Sequence, residues 1–254
     1  MRMADSDRAW RRWAELDPYF GVFALDRFRR ASFAAHREEF WHAGRVHVDD
    51  RLALAKQHFG PLKHARALDF GCGVGRLTLP LAQRFDEVLG LDIAPAMLEE
   101  AERNAREAGL ANLAFALSDD ALSAAEGQFD FVMSCIVFQH VPVRRGLAIL
   151  RRLLDRVADG GVASVQLCID RRDTAGQAAR YWAQRHVPGF TALLNLMRGR
   201  PAGEPLMQMN AYPQERILSL SQALGFDPPI IETHLHGRFL TAEILMHRVS
   251  QPRG

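Results

Sequence analysis

The sequence predicts an α/β protein built on a doubly wound, seven-stranded, mostly parallel sheet. Two observations predict it. From residue 65 to about 170, short apolar runs alternate with segments of helical period. Such alternation implies right-handed crossovers between parallel strands. The first of these runs also leads straight into a turn with glycine at every second position, Gly71, Gly73 and Gly75, and that turn opens a helix.

Residues 5 to 60 read as helical and amphipathic, broken at "DPYFG" by Pro18 and Gly21. Trp10, Trp13, Leu16, Phe20, Phe23 and Phe28 make this segment unusually aromatic. It can pack on the main domain, lie as a lid over a ligand, or do both. "ARALDF" is the first strand, and a helix is expected from about Gly75 to Arg84. "EVLGLD" is the second strand, followed by a helix through "APAMLEEAERNAREAG" with Gly109 as its C-cap. "LAFAL" and "FDFVMSCIV" are the third and fourth strands. A helix over about 143 to 157 follows Pro142, and "GGVASVQLCI" is the fifth strand.

Residues 171 to 212 interrupt the rhythm with Arg171, Arg172, Tyr181, Trp182 and the turn-rich run "MRGRPAGEPLMQMNAYP". A structureless loop of this length is uncommon in a compact domain, so some helix and a functional cap are expected. "QERILSLSQALGF" then reads as a helix ending at Gly225, and "PIIETHLH" and "FLTAEILMHRV" as a final strand pair. The chain thus divides into an N-terminal helical lid (1–60), a core (61–170), an insertion after the fifth strand serving as substrate cap (171–212), and a return to the core (213–254).

Composition narrows the function. At 254 residues the chain suits one large domain with an added cap. A net charge of +2 does not suit a nucleic-acid binder. The clusters Arg8, Arg11, Arg12 and Arg27, Arg29, Arg30 are offset by Asp5, Asp7, Glu15 and Asp26, as on a solvated helix face. The three cysteines, Cys72, Cys135 and Cys168, are an odd, widely spaced set that fits no metal pattern and suits a reducing compartment. No apolar run reaches the length of a membrane span, and "MRMADSDRAWRRW" lacks a signal-peptide core. The expectation is a soluble, cytoplasmic monomer or homodimer with no membrane, nucleic-acid or metal partner.

The glycine turn places backbone N–H groups around a ligand at the carboxyl end of the sheet. Arg76 stands where a dinucleotide fingerprint wants a small residue, and no phosphate-loop lysine follows. Asp69 just before the turn would repel a pyrophosphate but favours a cationic or hydrogen-bond-donating ligand. Asp92 ends the second strand, where a carboxylate can accept hydrogen bonds from both ribose hydroxyls, or else cap the helix opening at Ala94.

Taken as a set, "LDFGCGVGR", "LGLDIAPAML", "FDFVMSCIVFQHV" and "LLDRVADGGV" resemble the class I S-adenosylmethionine-dependent methyltransferases. The resemblance covers about residues 65 to 170 and resumes at 213 to 249, where the last strand pair matches the reversed hairpin of that fold. It implies a Rossmann-like methyltransferase fold and S-adenosyl-L-methionine as cofactor. Asp69, Gly71, Cys72 and Gly73 would hold the methionine end, and Asp92 the ribose. Ile93 would pack on the adenine, with Met97 as a second wall that core packing explains equally. Asp119 would meet the adenine amino group, with the register open to Asp120. The backbone around Cys135 and Ile136 would lie near the ammonium, and Gln139 and His140 on the acceptor side.

The implied chemistry is in-line displacement at an activated methyl, which needs water excluded, the acceptor aligned and sometimes a proton removed. Tyr19, Phe20, Tyr181 and Trp182 are candidates for an aromatic cap over the sulfonium, each such contact being worth about 0.5–2 kcal/mol. For Tyr181 and Trp182 burial against the sheet is an equal alternative. His140 is either the base or a structural hydrogen-bonding residue beside a helix start. His234 and His236 share a strand face that would lie near the cap, with His234 as a candidate substrate contact and a surface or core position as the alternative; their spacing would suit a metal pair, but no partner ligand is evident. Asn210 and Tyr212 are candidate acceptor contacts or ordinary turn residues. "DPYFGVF" and the insertion resemble, more loosely, small-molecule methyltransferases of biosynthetic clusters. The asparagine-proline-proline-aromatic signature of macromolecular N-methylators is absent, "SCIVFQHV" standing in its place. The function expected is methylation of a small acceptor. One alternative is an enzyme that cyclises the same cofactor to azetidine-2-carboxylate and methylthioadenosine; a lower one is a nucleic-acid-binding module.

Overall fold

A computed structural model describes residues 5–249. Strands β1 (Arg66–Phe70), β2 (Glu87–Asp92), β3 (Leu113–Leu117), β4 (Phe129–Ser134), β5 (Val157–Arg171), β6 (Ile230–His236) and β7 (Phe239–His247) form one sheet. Its order is β3-β2-β1-β4-β5-β7-β6. The first five strands pair in parallel, and β7 runs antiparallel to both β5 and β6. This is the predicted α/β sheet, with β7 of the terminal pair as the reversed strand. From β1 the order runs one way to β2 and the other way to β4. A crevice therefore opens outside their carboxyl ends, where doubly wound sheets hold ligands.

Helices cover both faces, which is why the central strands read as continuous apolar runs. On one face, α6 (Val143–Asp155) buries Ile149, Leu150, Leu153 and Leu154, joined by Ile217 of α9 (Gln214–Ala223) and by Tyr212. On the other, Val48 and Ala55 of α3 (Phe33–Phe59) pack with Leu81 and Ala82 of α4 (Thr78–Ala82). Helix α5 (Pro95–Glu107) begins on its proline, and Gly109 follows its end at φ +68°.

Among the boundaries that differ from expectation, those of α4 and β4 have a clear backbone reason. Helix α4 starts at Thr78 rather than near Gly75, because Gly75 has φ +87°, outside any right-handed helix. Strand β4 stops at Ser134, short of Ile136 with φ +61°. The N-terminal helix breaks within "DPYFG" as expected: Pro18 pushes Asp17 to φ −157°, which ends α1 (Asp5–Leu16), and Pro18 then starts α2 (Pro18–Val22), with Gly21 inside that helix and not at a break.

The aromatic N-terminal segment makes a third cluster. Phe28 and Phe40 are fully buried with Ala14, against Val74 of the glycine turn and Ala94 and Met97 beside it. Gly44 of α3 lies so close to the turn that a Cβ there would come 2.3 Å from the Arg76 carbonyl oxygen. The insertion holds α7 (Ala175–His186) and α8 (Phe190–Met197); α7 is started by a reciprocal cap between Thr174 and Gln177.

Candidate functional site

The site begins with backbone geometry. Gly71 and Gly73 have φ +78° and +53°. A Cβ on either would sit 2.2 Å from Val137 Cγ2 or 2.3 Å from Val22 Cγ2. The turn is bare because its neighbours leave no room and its dihedrals disfavour side chains. The Gly71 and Cys72 N–H groups donate to the Leu91 carbonyl at 2.7 and 3.0 Å, tying the turn to the end of β2.

Asp92 then locks both elements together. Its Oδ2 accepts from the Gly73 N–H and its Oδ1 from the Ala94 N–H, each at 2.9 Å. Ala94, not Asp92, occupies the N-cap position of α5. Burial raises the Asp92 carboxyl, and these backbone N–H groups hold it back. A carboxylate offers about four acceptor positions, so two remain.

A cleft of about 860 Å³, open solvent at its mouth included, lies over the turn. It brings together eight residues predicted for cofactor binding: Gly71, Gly73, Asp92, Ile93, Met97, Asp119, Cys135 and Ile136. Asp69 and Cys72 are not among its lining residues. Asp69 is 2% exposed, and its Oδ2 accepts from the Thr78 hydroxyl at 2.7 Å. Burial lifts its carboxyl to about 6, against the Thr78 bond and the Arg76 charge. Cys72 turns its thiol into the core at 3% exposure, and burial pushes it up. Asp119 is held by the Ser123 N–H and hydroxyl, at 2.9 and 2.8 Å, and these bonds lower its carboxyl. Asp120, also lining the cleft, takes a forked bond from Arg145.

Arg145 was not legible in the sequence as a site residue. Its guanidinium also forks to Asp7 of α1 at 2.6 and 3.0 Å, clasping α1 across the cleft mouth. Trp10 and Val22 of the N-terminal segment also line the cleft. Trp10 packs on His140, ring centroids 4.6 Å apart.

A second, larger cavity, about 1660 Å³ with its open mouth, adjoins the first. Gly21, Ile136 and His140 line both. Of the acceptor-side candidates, Gln139, Tyr181 and Phe20 line the larger cavity. Gln139 is 5% exposed, and its Oε1 has no hydrogen-bond partner. The Tyr181 face is covered by the Arg171 guanidinium at 3.9 Å, and its hydroxyl accepts from the Met209 N–H at 3.0 Å. That face is not free for a sulfonium.

Five candidates fall elsewhere. Tyr19 stacks on Phe33 and donates to Glu100, bonding α2 to α5 instead of capping a ligand. Trp182 is 59% exposed and stacks on His186. Asn210 spends its backbone and side-chain N–H groups on the Gln139 carbonyl. Tyr212 is fully buried in the core and donates to the Val141 carbonyl at 2.9 Å. His234 is exposed on β6, whereas His236 lines the larger cavity.

His140 sits where the cavities meet. Its Nδ1 lies 2.6 Å from the Gln208 carbonyl oxygen, so Nδ1 carries the proton and Nε2 the lone pair. Burial lowers it to about 4 despite that bond. Beside it, Ile136 holds a left-handed φ that a β-branched residue rarely adopts. Its N–H donates to Gln166 Oε1 at 3.0 Å, and Gln166 in turn donates to Glu243. Glu243 pairs with Arg51 at 2.9 Å. A glutamine within the apolar run "ASVQLCI" was the sequence signal for this buried support.

Comparison with known proteins agrees with this geometry. Residues 67–161 match the family profile described as a methyltransferase domain. Over 110 residues the chain is 44% identical to a trans-aconitate 2-methyltransferase of Methylobacterium radiotolerans, covering 42% of this chain and 40% of that one. Over 111 residues it is 38% identical to a 23S rRNA (uracil-C5) methyltransferase of Alkalilimnicola ehrlichii, covering 42% and 23%. The chain thus spans well under half the length of these curated relatives, and they share no acceptor. The solved magnesium protoporphyrin IX methyltransferase of Synechocystis, with bound S-adenosylhomocysteine, superposes over 96% of this chain and 100% of its own at TM-score 0.64 and 19% identity, a likeness of fold. The chain thus carries a methyltransferase domain over residues 67–161, set in a sheet whose fold is that of a solved methyltransferase crystallised with S-adenosylhomocysteine.

Proposed function

We propose that the chain binds S-adenosylmethionine over the glycine turn and transfers its methyl group to a small molecule held in the larger cavity. The observation that carries this reading is the meeting of two cavities at Gly21, Ile136 and His140. A donor in one and an acceptor in the other would come together there.

The residues fit such a donor. Gly71 and Gly73 line the cleft, so a ligand there lies along the turn. Asp92 has two acceptor positions left for ribose hydroxyls, and Ile93 and Met97 offer an apolar wall for a flat base. When bound, S-adenosylmethionine supplies a methyl group on a positive sulfur that is already a good leaving group. The chain's own part is position and dryness. Trp10 and the Asp7–Arg145–Asp120 clasp cover the cleft. Gln139, with its unpartnered Oε1, orients an acceptor donor group. His140 Nε2 takes the proton that an acceptor hydroxyl or amine releases, and its low affinity passes that proton on to solvent.

The test is incubation with methyl-deuterated S-adenosylmethionine, with and without a metabolite extract, read by mass spectrometry. S-adenosylhomocysteine and a small product carrying the label are expected, and only with extract. Methylthioadenosine formed without extract, or label confined to RNA or protein, would overturn the proposal.

A further inference from the structure

We infer that the acceptor is an anion with an apolar body, its carboxylate or equivalent acid group recognised by arginines of the larger cavity. This rests on the reading of that cavity as the acceptor site. Five arginines line it: Arg171, Arg180, Arg198, Arg200 and Arg238. Their charge is far from balanced. The one carboxylate among the lining residues, Glu204, is 7% exposed and already bonded to Arg29 at 2.6 Å. Arg171 and Arg238 share a single counter-ion, Asp173, at 2.5 and 3.1 Å. That leaves one positive charge in excess among partly buried groups, with side chains 16% and 27% exposed. The buried Arg171 Nε–H also lacks an acceptor.

Arg180, Arg198 and Arg200 are exposed and enter no ion pair among the described residues. From Thr174 to Gly203 the sequence carries no acidic residue at all, so nothing in the insertion neutralises them. Between the arginines the wall is apolar: Trp13, Phe20, Phe23, Leu206, Met207 and Phe239. A positive, partly desolvated wall favours an anion and penalises a cation, since like charges repel more strongly where water is excluded. Guanidinium forks suit planar acid groups in particular. The apolar stretch between them takes a hydrocarbon or ring body.

The probe is one skeleton in three charge states: naphthalene-2-carboxylate, the neutral naphthalene-2-carboxamide and the cationic naphthalene-2-methylamine. Each is titrated by calorimetry into the full chain saturated with S-adenosylhomocysteine at pH 7.5. The carboxylate is expected to bind at least about tenfold more tightly than the amide, and the amine most weakly. The double variant Arg180→Gln, Arg200→Gln changes exposed groups only and should weaken the carboxylate about two- to fivefold. Arg238→Gln should weaken it about tenfold, and none of these changes should move the amide. Equal affinities for carboxylate and amide, undetectable binding of all three, or a preference for the amine would overturn the inference. Titration of S-adenosylhomocysteine alone separates the two readings. If it binds normally while the carboxylate shows no preference, the acceptor class fails and the methyltransferase reading stands. If it does not bind, the methyltransferase reading fails whatever the naphthalene series shows.

Discussion

Asp69→Asn should stabilise the protein at neutral pH, although Asp69 stands in the motif before the glycine turn. Asp69 is fully enclosed, and its carboxyl is raised from 3.8 to about 6. The folded protein therefore holds this proton more tightly than the unfolded chain does. Stability from this group is highest below about pH 4. It falls as pH rises through the window from about 4 to 6 and stays lowered above it. The raised value corresponds to about 3 kcal/mol lost at neutral pH, at 1.36 kcal/mol per pKa unit. Asparagine removes the charge and keeps an oxygen for the Thr78 hydroxyl, which now donates at 2.7 Å. It gives up the attraction of Arg76, which already opposes the raised value. The expected gain is therefore about 2 kcal/mol at pH 7.5, shrinking toward zero near pH 4. Urea unfolding of both proteins at pH 7.5 and 4.5, followed by circular dichroism, measures it. Equal or lower stability of the variant at pH 7.5, or a gain that does not shrink with pH, would refute the argument.

Asp92→Ala should weaken S-adenosylhomocysteine binding by about 2 kcal/mol or more, and should also lower stability, because it strands the Gly73 and Ala94 N–H groups; calorimetry and thermal unfolding read the two effects separately. Turnover should show no ionisation of His140 between pH 6 and 8, since burial holds it near 4, so a His140-dependent inflection near 6.5 would contradict the enclosed geometry. Arg145→Gln should loosen α1 and speed dissociation of S-adenosylhomocysteine, measured by stopped flow; the wild type in high salt should shift less than the variant does, because the Arg145 side chain is only 23% exposed.

The residues around the glycine turn, the proposed donor side, were legible in the chain because their requirements are local. A turn where an added Cβ would fall 2.2 Å from Val137 must be glycine, and the Asp92 carboxylate at the end of its strand serves the N–H groups beside it. Such residues are special where they stand, so Gly71, Gly73, Asp92 and Ile93 could be named from spacing and resemblance alone. The sheet was legible for the same reason, through the alternation of periods along a contiguous stretch.

The wall of the larger cavity, the proposed acceptor side, emerges only in the tertiary structure. Trp13, Gln139, Tyr181 and Arg238 come from four separate parts of the chain and meet in one wall. Nothing local distinguishes Tyr212, which lies in the core, from Tyr181, which lines the cavity. Tyr212 is buried because Gly146 on α6 leaves space there: a Cβ at Gly146 would fall 1.8 Å from the tyrosine hydroxyl oxygen. Tyr19 and Trp182 look alike as aromatic cap residues, yet one is spent on Glu100 and the other faces solvent. Backbone constraints act through a residue's own dihedrals and are written where they apply. Cavity walls arise from contacts between distant segments, whose pairing depends on strand order and helix packing and leaves no mark at any single position.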